Sequence, residues 1–152
     1  MIDINIILNQ LDWCEETENK NSIERIDDEK GVIFKDDFWQ IVEIPEEYRS
    51  KTFKLKEVCI IKRTTVYKEL VKLTKELNPL GQCDWRIPTM AELNKLYEWN
   101  DELIINDKLY KSSYFSSDID ETIHNQHYVK SFYNGSERLQ YDSLFCDIMI
   151  VR

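Results

Sequence analysis

The densest group of side chains that could do chemistry lies between residues 118 and 127. Here Asp118, Asp120, Glu121, His124 and His127 bring three carboxylates and both histidines of the chain into ten residues. Carboxylate oxygens and imidazole nitrogens are ligands of divalent metals. The spacing fits no compact metal-ligand pattern, so we interpret the segment as a solvated polar loop with one packed histidine. The sequence therefore predicts no metal site and no cofactor.

Catalytic motifs are missing from the sequence. Gly31, Gly81 and Gly135 are the only glycines, so there is no glycine-rich loop that could cradle a phosphate and no G-x-S-x-G elbow around a serine nucleophile. Carboxylates are plentiful, but no pattern marks one as held in an apolar pocket, where its pKa would rise. We therefore predict no catalytic residues and no enzyme.

The four cysteines are Cys14, Cys59, Cys83 and Cys146, and no two of them form a C-x-x-C pair. That spacing excludes a zinc knuckle and a thioredoxin-like motif. Four free thiols are the favoured interpretation. A disulfide between one pair remains the alternative, with no connectivity marked by the sequence.

The segment that best specifies its own geometry is Cys83-Asp84-Trp85-Arg86-Ile87-Pro88-Thr89. Pro88 holds Ile87 out of the helical region, and Thr89-x-x-Glu92 has the form of a capping box, so a helix is predicted to begin after Thr89. We assign Trp85 to the core and expect the Arg86 guanidinium to bond several loop carbonyls. A ligand contact by these two residues is the alternative.

Hydrophobic periodicity places the remaining elements. A helix is predicted from Val66 to Leu77, capped by Thr64 or Thr65 and stopped by Asn78-Pro79. Gly81 is expected to turn the chain, residues 100 to 126 to be polar and irregular, and Asn134-Gly135 to form a two-residue hairpin turn. Residues 144 to 151 read as a central strand. Further strands are predicted at 31 to 34, 38 to 44 and 52 to 62, and a helix is favoured around residues 4 to 11.

Several motifs occur together and in a fixed order. The Asp84-to-Thr89 motif and its helix are followed by Tyr114-Phe115-Ser116-Ser117, by an aromatic strand that ends at Asn134-Gly135, and by a terminal Val151-Arg152. Over residues 58 to 152 this order resembles the Lcl C-terminal domain family, whose signature is Asp-Trp-Arg-Leu-Pro-Thr. Phe115 stands where that family usually has Trp, and residues 1 to 57 show no clear match.

The resemblance implies an α+β fold of the C-type-lectin-like kind, with two main helices packed on a mostly antiparallel sheet, and a binding role rather than catalysis. Trp99-Asn100-Asp101 spells a tripeptide that coordinates calcium in C-type lectins. It ends a predicted helix in mid-chain instead of lying on a late strand. We therefore interpret Trp99 as core and the other two residues as a helix-ending turn.

Length and composition fit one domain over residues 1 to 152, with 1 to 57 as its acidic N-terminal part. Residues 1 to 57 hold fifteen Asp and Glu against eight Lys and Arg. Such a surface repels phosphate backbones, so no direct nucleic-acid binding is expected. The first residues lack the form of a signal peptide, which favours a cytoplasmic protein without a membrane partner. The acidic positions singled out are Glu15, Glu16, Asp27, Asp28, Glu29, Asp36 and Asp37.

Three binding functions remain, and the oligomeric state stays open. The preferred hypothesis is a protein partner held by a loop surface, because loops on a rigid base suit recognition and tyrosines favour interfaces. A glycan bound by the same surface is the second. In the third, the acidic positions imitate a phosphate backbone and block a basic nucleic-acid-binding protein, as small phage-borne inhibitors do. The predicted partner-binding residues are Tyr110, Tyr114, Phe115, Ser116, Asp118 and His124.

Overall fold

The computed structural model describes residues 24–28, 31–35, 39–49, 54–77, 79–99 and 111–152. Within these residues, a single mixed sheet is flanked by two α-helices. The coarse α+β prediction is thus confirmed. The helices are α1 (Tyr67–Glu76) and α2 (Met90–Glu98). The strands are β1 (Glu24–Asp28), β2 (Gly31–Lys35), β3 (Trp39–Glu43), β4 (Glu57–Thr65), β5 (Ser113–Phe115), β6 (Gln126–Ser131), β7 (Glu137–Tyr141) and β8 (Cys146–Val151).

The last strand of the chain lies in the middle of the sheet. The strand order is β1-β2-β3-β4-β8-β5-β6-β7. All these neighbours run antiparallel except β5 and β8, which are parallel and pair Tyr114 with Asp147. Every residue of β8 is buried, which confirms the predicted central strand. Its start was predicted two residues too early, because Leu144 and Phe145 precede the ladder and are each 50% exposed.

Both faces of the central strands carry apolar side chains. In β4, Cys59 and Ile61 belong to the core that includes Leu70 and Leu73 of α1. Val58 and Ile60 belong to a second core that includes Leu93 and Leu96 of α2. Because side chains alternate along a strand, the helices lie on opposite faces of the sheet.

The start of α1 corrects a prediction. Thr64 and Thr65 are the last residues of β4 and do not cap the helix, and the Thr65 hydroxyl donates to the carbonyl of Val66. Val66 is the N-cap and makes no side-chain capping bond. The strand continues to Thr65 because Thr64 and Thr65 pair with Asp147 and Cys146 of β8, across a register shift after Ile61.

The start of α2 is as predicted. The Thr89 hydroxyl accepts from the Glu92 N–H at 3.2 Å, and the Glu92 carboxylate accepts from the Thr89 N–H at 2.9 Å. The sequence had suggested that the Arg86 guanidinium bonds loop carbonyls, and the structure shows a different partner. The guanidinium donates twice to the Glu92 carboxylate, at 2.6 Å each, because a planar guanidinium matches a carboxylate in a bidentate pair.

The approach to α2 is fixed to the core and to β8. Trp85 is buried and its indole N–H donates to the Pro79 carbonyl at 3.2 Å, while Pro88 is also buried. Arg86 and Val151 exchange two backbone hydrogen bonds, of 2.9 and 2.8 Å. The predicted core position of Trp85 and the predicted capping box of Thr89 and Glu92 agree with these contacts, whereas Arg86 is structural through Glu92 and Val151 instead of loop carbonyls.

Two local predictions need correction. The segment 100 to 126 is not irregular throughout, because β5 lies within it between β8 and β6. The β6–β7 turn is longer than two residues, since the Ser131 N–H donates to the Ser136 carbonyl and the loop runs from Phe132 to Gly135. Gly135 has φ +76 and lies so close to the Tyr97 ring of α2 that a Cβ there would clash. The helix predicted around residues 4 to 11, and Asn100-Asp101, lie outside the described residues.

The Thr89 cap yields a first prediction. Thr89→Ala should lower the free energy of unfolding by about 1 kcal/mol, because it leaves the Glu92 N–H without its side-chain acceptor. Denaturant unfolding followed by circular dichroism measures this. Thr89→Ser is the matched control, since it keeps the hydroxyl and should stay close to the wild type. Equal losses in both variants would contradict the capping argument.

The Arg86–Glu92 pair yields a prediction for pH. Burial alone would raise the pKa of Glu92, but the hydrogen bonds from Arg86 and Thr89 outweigh it and hold that pKa below its usual range. A lowered carboxyl pKa stabilises the fold above the unfolded value of about 4.3 and loses this effect as pH falls through the folded pKa. The unfolding free energy of the wild type should therefore exceed that of Glu92→Gln at pH 7. The difference between the two free energies should narrow below about pH 4.

Unfolding curves measured between pH 7 and pH 3 test this dependence. Glu121→Gln changes an exposed carboxylate and is the control, for which we expect no comparable narrowing. A gap between wild type and Glu92→Gln that stays constant over this range would show that the pair contributes no pH dependence.

Candidate functional site

A cavity of about 640 Å³ opens where the start of α1 meets two loops of the sheet. Helix α1 contributes its N-cap and first turn, a second segment precedes β6, and the third is the turn between β7 and β8. The cavity is lined by Val66, Tyr67, Lys68, His124, Asn125, Tyr141, Asp142 and Ser143.

Backbone hydrogen bonds at Asp142 hold the three segments together. The Tyr67 N–H donates to the Asp142 carbonyl at 3.0 Å, and the Asp142 N–H donates to the Asn125 carbonyl at 2.8 Å. Asn125 has φ +61, a left-handed conformation that asparagine adopts more readily than most residues. The cavity wall is thus fixed through the backbone, independently of the side chains that face the opening.

An aromatic and polar cluster adjoins the cavity through Tyr67 and Asp142. His127 Nδ1 and Asp142 Oδ1 are 2.7 Å apart, and the His127 ring stacks on Tyr67 with centroids 3.5 Å apart. Tyr67 also meets the Phe115 ring edge-on at 5.4 Å. Burial, together with the negative charges of Asp142 and Asp118, raises the pKa of the Tyr67 hydroxyl. Tyr67 therefore stays neutral and serves as packing between the cavity and the core.

The His127–Asp142 pair has the geometry in which a carboxylate orients an imidazole. The two buried thiols, Cys59 and Cys146, do not supply a nucleophile. Burial raises the pKa of Cys146 to about 11 and raises that of Cys59 further, so both remain protonated near neutral pH. Cys146 instead accepts a hydrogen bond from the Gln140 amide at 3.1 Å. Cys59, Cys83 and Cys146 are free thiols, and Cys14 lies outside the described residues.

Three of the predicted partner-binding residues are in the interior, which corrects that prediction. Tyr114 and Phe115 are 0% and 1% exposed, and Ser116 is also buried. The cause is the position of β5, which places Tyr114 in one core and Phe115 in the other. The Ser116 hydroxyl donates to the Tyr128 carbonyl at 2.8 Å. Tyr110 lies outside the described residues.

The other two predicted residues differ from each other. Asp118 accepts a hydrogen bond from the Met90 N–H at 2.9 Å, so it serves the start of α2. His124 is exposed and lines the cavity.

The side chains between residues 118 and 127 do not converge on a metal site. Asp120 accepts hydrogen bonds from both the N–H and the hydroxyl of Thr122. Across the part of the chain that the structure describes, no three His, Cys, Asp or Glu side chains converge in a way that could hold a metal ion.

The acidic positions are only partly covered by the structure. Asp27 and Asp28 belong to β1. Glu15, Glu16, Glu29, Asp36 and Asp37 lie outside the described residues.

Sequence reasoning missed most of the cavity. Tyr67 and Lys68 were assigned only to a helix, and Tyr141, Asp142 and Ser143 were assigned no role. Asp142-Ser143 between two strand-like segments is a recognisable turn signal. The contact of this turn with the start of α1 joins residues 75 positions apart, Tyr67 and Asp142, and no local pattern predicts it.

The comparisons add no relative: neither a protein-family model nor a curated protein matches the chain. The resemblance to the Lcl C-terminal domain family therefore depends on the motifs alone. None of the described helices is long and apolar enough to cross a membrane.

The stacked rings give a prediction that a double-mutant cycle can test. Tyr67→Leu and His127→Leu should each destabilise the protein, and together they should cost about 0.5–1.5 kcal/mol less than the sum, because either change alone already removes the ring contact. Denaturant unfolding measures all four proteins. Tyr133→Leu combined with His127→Leu is the control, and these two should be additive. A coupling between positions 67 and 127 no larger than that of the control would contradict the stacking argument.

Proposed function

We propose that the protein is a non-catalytic binding module, in which a C-type-lectin-like scaffold engages a protein partner through the loops around the cavity. The observation that carries this proposal is the cavity itself, whose walls come from three segments joined by backbone hydrogen bonds at Asp142. Loops held on a rigid sheet present side chains at little entropic cost, which favours recognition.

The chemistry of the cavity fits a protein interface. Tyr141 is 59% exposed at its edge, and aromatic side chains of this kind often dominate binding energy. Lys68, His124, Asn125 and Ser143 are also exposed, and they surround it with groups able to form hydrogen bonds. An aromatic anchor with a polar rim is the usual composition of a non-obligate interface.

The scaffold part of the proposal is supported by the motifs and the coarse fold. Residues 84 to 92, which carry the Lcl-type motif, form an extended approach and a capping box, and two helices flank a mostly antiparallel sheet. The non-catalytic part is supported by the two protonated buried thiols and by the packing of His127 under Tyr67.

A glycan is the second candidate ligand. The exposed Tyr141 ring offers a face for stacking on a sugar, and Asn125, Asp142 and Ser143 offer hydrogen-bonding groups beside it. The acidic-inhibitor hypothesis depends on side chains that the structure does not describe, and it remains a prediction.

Capture of a partner from host lysate, quantified by mass spectrometry, tests the proposal. His124→Ala should reduce the amount of a specific captured protein at least tenfold, because it removes a ring from the cavity wall; a tenfold change corresponds to about 1.4 kcal/mol. Glu121→Ala, in the same loop but not in the cavity, is the matched control and should capture as the wild type does.

Two further measurements separate the alternatives. Binding to an array of oligosaccharides that is lost in His124→Ala would favour the glycan. A partner unaffected by His124→Ala but released between low and physiological salt would favour the acidic positions, since exposed charges are screened over about 8 Å at 0.15 M. A protein partner whose capture changes in neither test would contradict the cavity as the binding site.

A further inference from the structure

Strand β7 lies at one end of the sheet, with β6 on one side and, in the part of the chain that the structure describes, no strand on the other. An open strand edge presents unpaired N–H and C=O groups that another strand can bind. Natural edges are often protected by proline, by a bulge, by short length or by charged side chains. Strand β7 is five residues long and carries Glu137 and Arg138, which have opposite charges. The sequence of β7, Glu-Arg-Leu-Gln-Tyr, has no proline, and its register with β6 is continuous.

The hydrogen-bond pattern identifies which groups face outward. The Asp142 N–H donates to the Asn125 carbonyl, and the Ser131 N–H donates to the Ser136 carbonyl. The register pairs His127 with Gln140 and Val129 with Arg138. Since bonded pairs alternate with unbonded ones, Arg138 and Gln140 are the residues of β7 whose backbone groups bond to β6. Because such bonds alternate along an antiparallel strand, the N–H and C=O groups of Glu137, Leu139 and Tyr141 point to the open side. The Tyr141 carbonyl already accepts from the Leu144 N–H at 3.0 Å.

Exposed apolar side chains lie at both ends of this strand. Tyr133, in the turn before β7, is 69% exposed. Tyr141 is the last residue of β7, and Leu144 and Phe145 follow it in the next turn, each at least half exposed. Tyr133 and Tyr141 are thus exposed at the two ends of β7, whereas Leu144 and Phe145 belong to the turn that leads to β8, which β6 and β5 separate from β7. Exposed tyrosines beside an open strand suit an interface, where this residue type is enriched.

We propose that a second copy of this chain binds at β7, so that the two β7 strands pair antiparallel about a two-fold axis at Leu139. The axis places Leu139 opposite Leu139 of the other copy, and Glu137 opposite Tyr141. These are the residues whose backbone groups face outward, so the Leu139 N–H and the Tyr141 N–H find the Leu139 and Glu137 carbonyls of the other copy.

The side chains of β7 suit this pairing. Glu137 faces Tyr141 and Arg138 faces Gln140 across the axis, so no like charges are directly opposite. Opposed like charges would destabilise a sheet. Antiparallel pairing also brings Tyr133 of one copy toward the Tyr141 end of the other. An isologous interface needs a self-complementary surface, and this strand provides one in its backbone phase and in having no like charges opposed.

The dimer and the proposed function share Tyr141, but each has a residue that the other does not use, so they can fail separately. His124 is in the cavity and outside β7, so its replacement tests partner capture. Leu139 is in β7 and does not line the cavity, so its replacement tests association.

Sedimentation velocity of the full chain over a concentration series is the first test. The wild type should form a concentration-dependent dimer. Leu139→Asp and Leu139→Lys place like charges opposite each other at the axis and should each weaken dimerisation at least tenfold. An equimolar mixture of these two variants should restore the dimer, because it places Asp opposite Lys. Circular dichroism confirms that both variants are folded.

Disulfide cross-linking tests the register without introducing a charge. Directly opposed, hydrogen-bonded residues have Cα atoms about 5.5 Å apart, within disulfide reach. In a background of Cys14→Ser and Cys83→Ser, Leu139→Cys should give a covalent dimer on oxidation. Ser143→Cys, farther from the axis, is the matched control and should not cross-link.

Three results would overturn the proposal. One is a wild type that sediments as a monomer at every concentration. Protection of the Leu139 N–H from hydrogen exchange in that monomer would show that another segment of the same chain covers the edge. The second is a dimer that persists in Leu139→Asp and Leu139→Lys. The third is cross-linking that is equally efficient at positions 139 and 143.

Discussion

Burial of β8 on both faces is the constraint on which the rest of the structure depends. Cys146, Ile148 and Ile150 pack in one core and Met149 and Val151 in the other, so each face of this strand needs a helix to cover it. Helix α1 meets the first need and α2 the second. Asp147 is the polar exception, and Lys62 of β4 pairs with it at 3.1 Å.

The same strand organises the surface features. Arg86 pairs with Val151 and so attaches the α2 capping box to the end of β8. Arg152 follows and bonds the carboxylates of Glu57 and Asp84, tying the chain terminus to β4 and to the segment before α2. At the other end of β8, the turn at Asp142 meets the start of α1 and forms the cavity. The turn that leads into the central strand thus contributes to the candidate site.

The sequence predicted what nearby residues determine. The Thr89 capping box, the Trp85 core position and the burial of β8 follow from spacing within a few residues, and the structure has all three. Tyr114 and Phe115 were taken for surface residues because the segment around them is polar, and the pairing that buries them is with strands much later in the chain. The cavity was missed for the same reason. Long-range pairing decides these positions, and local periodicity does not encode it.

The net charge of the chain separates the proposed dimer from the acidic-inhibitor hypothesis. The chain has a formal net charge of −9, so two copies repel one another at long range, and salt screens that repulsion. The β7 edge contributes little to it, because Arg138 and Glu137 offset each other within the strand. Self-association through β7 is therefore strengthened by salt, whereas a partner held by the acidic N-terminal residues is released by it. The sign of the salt effect distinguishes a contact made by backbone groups and apolar side chains from one made by acidic charge.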